Sequence, residues 1–239
     1  MKLAGLLLAA AIALAPTATG ATPRLTVYAA SSLTEVFPRI DKRPRYSFGG
    51  SNQLALQIRL GGRADVFASA SPEFTQALFR ERLVERPRTF ASNSLVLAVP
   101  RSNPAGLRTV YDLAQRDVRL VIGAPSVPIG AYTRRVLARL GLSRVLSKVV
   151  SEEPDVKSIV AKVALGEADA GFVYRTDVRP VSARVRGIAI PASAQPTVRY
   201  QVAVVRASRN KPAARRWVQM LATSKRARTM LTQAGFGPK

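Results

Sequence analysis

In this chain, hydroxyl side chains stand where apolar runs give way to helical ones. The stretch "VYAASSLTEVF", residues 27–37, puts Ser31, Ser32 and Thr34 at the carboxyl end of an apolar run, the end at which open α/β sheets place ligands. The stretch "SFGGSNQLALQI" does the same with Ser51, after the bare backbone of Gly49 and Gly50. Two later junctions carry a proline where a helix should begin, Pro128 in "SVPIGAY" and Pro154 in "SEEPDVK". Proline suits the first helical position because the amide it lacks would have no intrahelical partner there. The next amides, those of Ile129 and Gly130 and of Asp155 and Val156, are then expected to point outward unpaired. Helix starts gathered around one cleft would make an anion site from donors alone.

Each junction also has a plainer reading as ordinary capping. Ser32 and Glu35 have the spacing of a capping box, in which the serine caps the helix and the glutamate reaches back. The acids Glu152, Glu153 and Asp155 sit together at a helix start, where negative charge is favourable without any ligand.

Other chemistries are excluded by composition. With no His and no Cys, the chain has neither a Ser-His-Asp nor a Cys-His nucleophile system and lacks the usual ligands of zinc. No phosphate loop of the G-x-x-x-x-G-K-[ST] type occurs, and "SFGGSN" has neither its lysine nor its spacing. The expectation is a binding protein and not an enzyme, with no cofactor.

The elements that must hold these junctions alternate. Short β-rich runs such as "RLTVYAA", "ADVFASA", "RLVIGA" and "AGFVY" are followed or preceded by amphipathic stretches such as "SPEFTQALFRERL", "PIGAYTRRVLARLGL" and "PDVKSIVAKVALGEAD". That alternation predicts an α/β fold. Two longer runs, "NSLVLAVP" near 93–100 and "VRYQVAVVRAS" near 198–208, read as strands crossing between two lobes. The expected division is 22–96 with 203–239 in one lobe and 97–202 in the other. The closing helices "KPAARRWVQMLAT" and "SKRARTMLTQAG" carry an apolar stripe that should pack on the first lobe. Only the leader and the last few residues are expected to lack a fixed place.

The chain begins with a basic residue, an apolar stretch from Leu3 to Ala15 and the small-residue run "TATGAT", the pattern of a secretory signal peptide spanning 1–21. Removing it leaves roughly 220 residues, enough for two lobes. Without cysteine there is no disulfide and no cysteine-linked lipid anchor, so a soluble, exported, monomeric protein is expected. Charge is strongly positive, 37 Lys+Arg against 14 Asp+Glu, and no acidic residue follows Asp177. These cations are dispersed over helices and no RNA-binding signature accompanies them, so they read as a solvated basic surface that attracts anions at long range, with no nucleic-acid partner.

The pieces quoted above, together with "EEPDVKSIVAKVALGEADAGFVY" and "YQVAVV", cover nearly all of the chain after the leader, in order. In this the sequence resembles the molybdate-binding periplasmic components of ABC transporters. The resemblance implies a two-lobed type II periplasmic-binding fold that closes over molybdate or tungstate and delivers it to a membrane permease. It also implies that the oxyanion is held by the hydroxyls of Ser32 and Ser51, the amides of Ile129 and Val156 and the hydroxyl of Tyr174, with Ser31, Gly130 and Asp155 as helpers. Ile129 stands where the family commonly has a small residue. Sulfate or phosphate in the same fold is the nearest alternative, and Asp155 is the acceptor that a protonated phosphate would need. A secreted polyanion binder is a more distant one.

Overall fold

The computed structural model describes residues 24–239, and the expected leader, 1–21, lies outside them. Two five-stranded sheets divide the chain. The first part runs β1 (Thr26–Ala30), α1 (Phe37–Ile40), β2 (Arg45–Gly49), α2 (Ser51–Arg59), β3 (Val66–Ser69), α3 (Pro72–Arg80) and β4 (Arg88–Asn93). The second runs β5 (Leu95–Pro100), α4 (Asp112–Gln115), β6 (Leu120–Gly123), α5 (Pro128–Arg139), β7 (Val149–Glu153), α6 (Val156–Leu165), β8 (Ala170–Tyr174), α7 (Arg175–Val178) and β9 (Val185–Ala189). The chain then returns to the first lobe with β10 (Val198–Val204), α8 (Lys211–Thr223) and α9 (Lys225–Gln233).

The sheet orders, β2-β1-β3-β10-β4 and β7-β6-β8-β5-β9, are the same pattern used twice. In each, three parallel strands are joined by helices and an antiparallel strand runs beside them. Parallel strands are covered on both faces and therefore read as unbroken apolar runs. All residues of β3, β6 and β8 are buried. The carboxyl ends of β1, β2 and β3 in one lobe and of β6, β7 and β8 in the other face a shared cleft, so the loops that follow them meet there.

The division between lobes differs from the sequence expectation. The expected boundaries, 96/97 and 202/203, fall inside strands, since Val96 and Leu97 both belong to β5 and Val202 and Ala203 both to β10. The chain changes sheets at Ser94, and again across 190–197, where Pro191 and Pro196 supply no amide for a ladder. Apolar runs such as "LVLAV" continue straight from a crossing into a strand, so hydropathy does not mark the crossing point. Gln195 joins the two crossings, accepting from the amide of Leu95 at 2.9 Å and donating to its carbonyl at 2.8 Å.

The closing helices pack on the first sheet, where Trp217 meets the Phe37 ring edge-on at 5.4 Å and Phe236 meets Tyr200 at 5.3 Å. The carboxyl end is not loose as far as Gly237, which exchanges backbone hydrogen bonds of 2.9 and 3.1 Å with Ser92. Among the described residues, no helix is long and apolar enough to cross a membrane.

Candidate functional site

A small cavity of about 10 Å³ lies between the lobes, walled by Ser31, Ser32, Ser51, Ile129, Asp155, Val156 and Tyr174 together with small neighbours such as Gly50 and Ala70. That is far below the usual range for drug-sized ligands. The residues named from the sequence therefore converge on one place, except Gly130, which is absent from the wall.

From the first lobe come hydroxyls. After β1 the chain makes a single 3-10 turn, Ser31–Leu33, with Ala30 before it and no side-chain cap. The expected capping box does not form. Ser32 Oγ lies 2.8 Å from the Tyr200 hydroxyl instead, and Glu35 points across the cleft to Lys157 Nζ at 3.6 Å. Ser32 is the second residue of this turn and not its cap, so its side chain is free for other partners. Thr34 turns back onto the Ser31 carbonyl at 2.7 Å. Ser51 is the first residue of α2 and is 1% exposed. Its oxygen accepts the amide of Ala70 at 3.1 Å, so its own hydrogen is left to donate.

From the second lobe come amides and one phenol. Val127 precedes α5, Pro128 is its first residue and the helical ladder begins only with the amide of Ala131 on the Val127 carbonyl. The amides of Ile129 and Gly130 have no partner among the described residues. Gly130 packs against the end of β6, where a Cβ would lie 2.1 Å from the Ala124 carbonyl oxygen, and this close approach seats the helix start that carries Ile129.

The other proline is placed differently from the expectation. Pro154 lies outside α6, which starts at Val156 with Asp155 as its cap. Aspartate outranks other candidates at that position because its carboxylate accepts amides of the first turn. One Asp155 oxygen takes the amides of Lys157 and Ser158 at 2.7 and 3.2 Å. The amide of Val156 remains without a partner among the described residues. The neighbouring acids are engaged as well, Glu152 with Arg134 and Glu153 with Lys162 at 2.7 Å.

Tyr174 closes the ring of donors at the end of β8. It is 2% exposed and its hydroxyl has no partner among the described residues. Burial pushes the phenol well above its ordinary range, so the hydroxyl keeps its hydrogen. Its backbone amide is held at 3.3 Å by Asp177 Oδ2. Asp177 is fully buried, and burial pushes its carboxyl up to about 7, against the pull of Lys157 Nζ at 3.8 Å.

The lips of the cleft touch. Asn52 Nδ2 donates to Ser126 Oγ at 3.2 Å and the Tyr132 hydroxyl reaches the Ala70 carbonyl at 3.5 Å. Gly50 approaches the opposite lobe so closely that a Cβ would stand 2.5 Å from the Pro154 carbonyl oxygen. Sequence reading missed Gly50 as a lip residue, and it missed Tyr200 and Asn93 behind Ser32. Tyr200 offered only a weak sign, a polar-tipped aromatic on the inward face of a strand beside Val198 and Val202.

Two lobes of matching topology, joined by two crossings and closed over a small cavity of donors, define a solute-binding protein. The chain belongs to the family described as bacterial extracellular solute-binding proteins, whose sequence pattern it matches over residues 25–237. It is 33% identical over 222 residues to the molybdate-binding protein ModA of Mycobacterium tuberculosis, covering 89% of this chain and 84% of that one. It is 30% identical over 236 residues to ModA of Haemophilus influenzae, covering 92% of each. Among solved structures, the periplasmic molybdate-binding protein of Azotobacter vinelandii superposes with a TM-score of 0.79 at 23% identity, over 90% of this chain and all of that one.

Proposed function

We propose that this chain binds molybdate, and tungstate as well, outside the cytoplasm and delivers the anion to the membrane permease of an ABC transporter. It acts as a carrier and performs no covalent chemistry. The observation that carries this reading is the polarity of the cavity. Four hydroxyl residues, Ser31, Ser32, Ser51 and Tyr174, and the two helix-start residues Ile129 and Val156 line it, and the sole carboxylate among its described lining residues, Asp155, is engaged as a helix cap.

Molybdate near neutral pH is a tetrahedral dianion without protons, so it can only accept hydrogen bonds. Five bonds to a charged group amount to roughly 8–15 kcal/mol, against about 8 kcal/mol for micromolar binding. The difference is available for closing the lobes and removing the ion from water. Hydrogen phosphate fits less well because its proton needs an acceptor. The relatives named as molybdate-binding proteins support the same choice.

A ligand that binds only the folded chain raises its stability by RT ln(1 + [L]/Kd), about 2.7 kcal/mol at a hundredfold excess over Kd. Thermal unfolding is therefore expected to shift upward with molybdate and tungstate. A larger shift with sulfate or phosphate at the same concentration would assign the site to a different oxyanion.

A further inference from the structure

We propose that Tyr200 and Asn93, neither of which lines the cavity, set the direction of the Ser32 hydroxyl hydrogen and so tune the site toward oxyanions that carry no proton. This rests on the oxyanion-binding reading above.

The backbone amide of Ser94 can only donate, and it lies 2.9 Å from the side-chain oxygen of Asn93. That contact fixes which way the Asn93 amide faces. Its nitrogen is then directed at Thr176 Oγ1, 2.9 Å away, and at the Tyr200 hydroxyl, at a longer 3.4 Å. The Tyr200 oxygen thus faces a donor. Besides Asn93, the hydroxyl is within hydrogen-bond distance of Ser32 Oγ, at 2.8 Å, which can take its hydrogen, while the rings of Phe90, Tyr174 and Phe236 pack on the Tyr200 ring.

Tyr200 is fully buried, and leaving that hydrogen without an acceptor would be costly. Burial also pushes its phenol well above the ordinary range, so the hydrogen stays in place. Ser32 therefore accepts from behind and has its own hydrogen free for the cavity that it lines. Ser51 has the same polarity by a simpler route, accepting the Ala70 amide at 3.1 Å.

A serine held in this way resists acting as an acceptor. Turning its hydrogen back would set it against the Tyr200 hydrogen. Removing the tyrosine hydroxyl lifts that opposition, and Ser32 can then accommodate a protonated oxyanion. Asn93, the last residue of β4, also donates to Thr176 Oγ1 of the other lobe at 2.9 Å.

The test is titration of parent, Tyr200→Phe, Ser32→Ala and the double variant with molybdate, sulfate and phosphate, each chain first checked by its unfolding curve. Tyr200→Phe keeps the ring and its packing. The expected result is a loss of molybdate and sulfate affinity of about 3- to 10-fold with phosphate affinity held or improved, so that the ratio narrows. In the Ser32→Ala background the same change is expected to do nothing. An equal loss for all three anions in both backgrounds would make Tyr200 a packing residue and overturn the proposal, as would no change at all. A parent that prefers sulfate to molybdate would overturn the choice of ligand while leaving the relay to be judged with sulfate. A parent that binds none of the three would overturn both.

Discussion

The two lobes reach the same cavity with different chemistry. The first lobe supplies the serine hydroxyls, Ser51 with the Ala70 amide donating to it from behind and Ser32 with the Tyr200 hydroxyl at 2.8 Å. The second supplies the amides of Ile129 and Val156 at the starts of α5 and α6, and the Tyr174 hydroxyl at the end of β8. Side-chain donors depend on residue identity. Amide donors depend on where a helix begins, so they tolerate a change of side chain that leaves the backbone in place. The lobes should consequently respond to substitution in different ways, and neither half is a site without the other.

The largest effect is expected from keeping the halves apart. Gly50→Ala places a methyl group against the Pro154 carbonyl across the cleft, where a Cβ would be only 2.5 Å from the oxygen. Its φ of −62° is accessible to alanine, and the Asn52 side-chain oxygen that would stand 2.7 Å from the Cβ is the end of a flexible side chain that can swing aside, so the first lobe should keep its fold. Depopulating the closed state weakens apparent affinity in proportion, and a loss of roughly 100-fold or more is expected by calorimetry, with little change in the unfolding temperature of the ligand-free chain. Unaltered affinity would mean that closure does not bring these two segments together.

Next in size are single hydroxyls, one from each lobe. Ser51→Ala and Tyr174→Phe each remove one donor to a dianion, worth about 1.5 to 3 kcal/mol, or about 10- to 150-fold in Kd. Both should shorten the lifetime of the complex in a stopped-flow displacement experiment. Parent-like lifetimes in both variants would transfer recognition to the backbone alone.

Asp177→Asn probes the support of Tyr174 through pH. In the folded chain burial raises this carboxyl from its ordinary 3.8 to about 7. The folded state therefore holds a proton that the unfolded state has released between about pH 4 and 7, and this contribution to stability is lost as pH rises through that window. Asparagine keeps an oxygen for the Tyr174 amide but does not titrate. Unfolding curves of parent minus variant should show a stability difference that falls as pH rises from about 4 to 7, while affinity at pH 6 changes less than about threefold. A difference that is flat over this window would place the Asp177 carboxyl at its ordinary pKa.

The smallest effect is expected at Ile129. Ile129→Ala leaves the amide at the start of α5 and removes only side-chain bulk, so affinity should stay within about threefold of the parent. A loss as large as that of Ser51→Ala would show that the isoleucine side chain, and not its amide, forms the wall.

Much of this site is legible in the sequence because strand ends and helix starts are local features. Hydroxyls after "VYAA", bare backbone before Ser51 and a proline ahead of Ile129 each announce a junction within a few residues. Local rules also mislead where two of them compete. Ser32 and Glu35 fit a capping box, yet the helix after Leu33 is broken and the serine turns to Tyr200. Pro154 fits a first helical position, but Asp155 is the better cap and moves the start to Val156. Contacts between distant parts leave no local trace. Ser32 and Tyr200 are 168 residues apart, and nothing near either residue announces the other. The crossing at 190–197 was hidden for a related reason, since sheet membership depends on pairing partners and not on hydropathy.

The measurement that bears most directly on the account is a calorimetric titration of residues 22–239 against molybdate and phosphate at two salt concentrations. The account predicts one buried site per chain with micromolar or tighter affinity for molybdate, a much weaker response to phosphate, and little change with added salt, because the donors lie inside the cleft and the arginines outside it. Phosphate binding more tightly than molybdate, or affinity that collapses with salt as polyanion binding does, would contradict it.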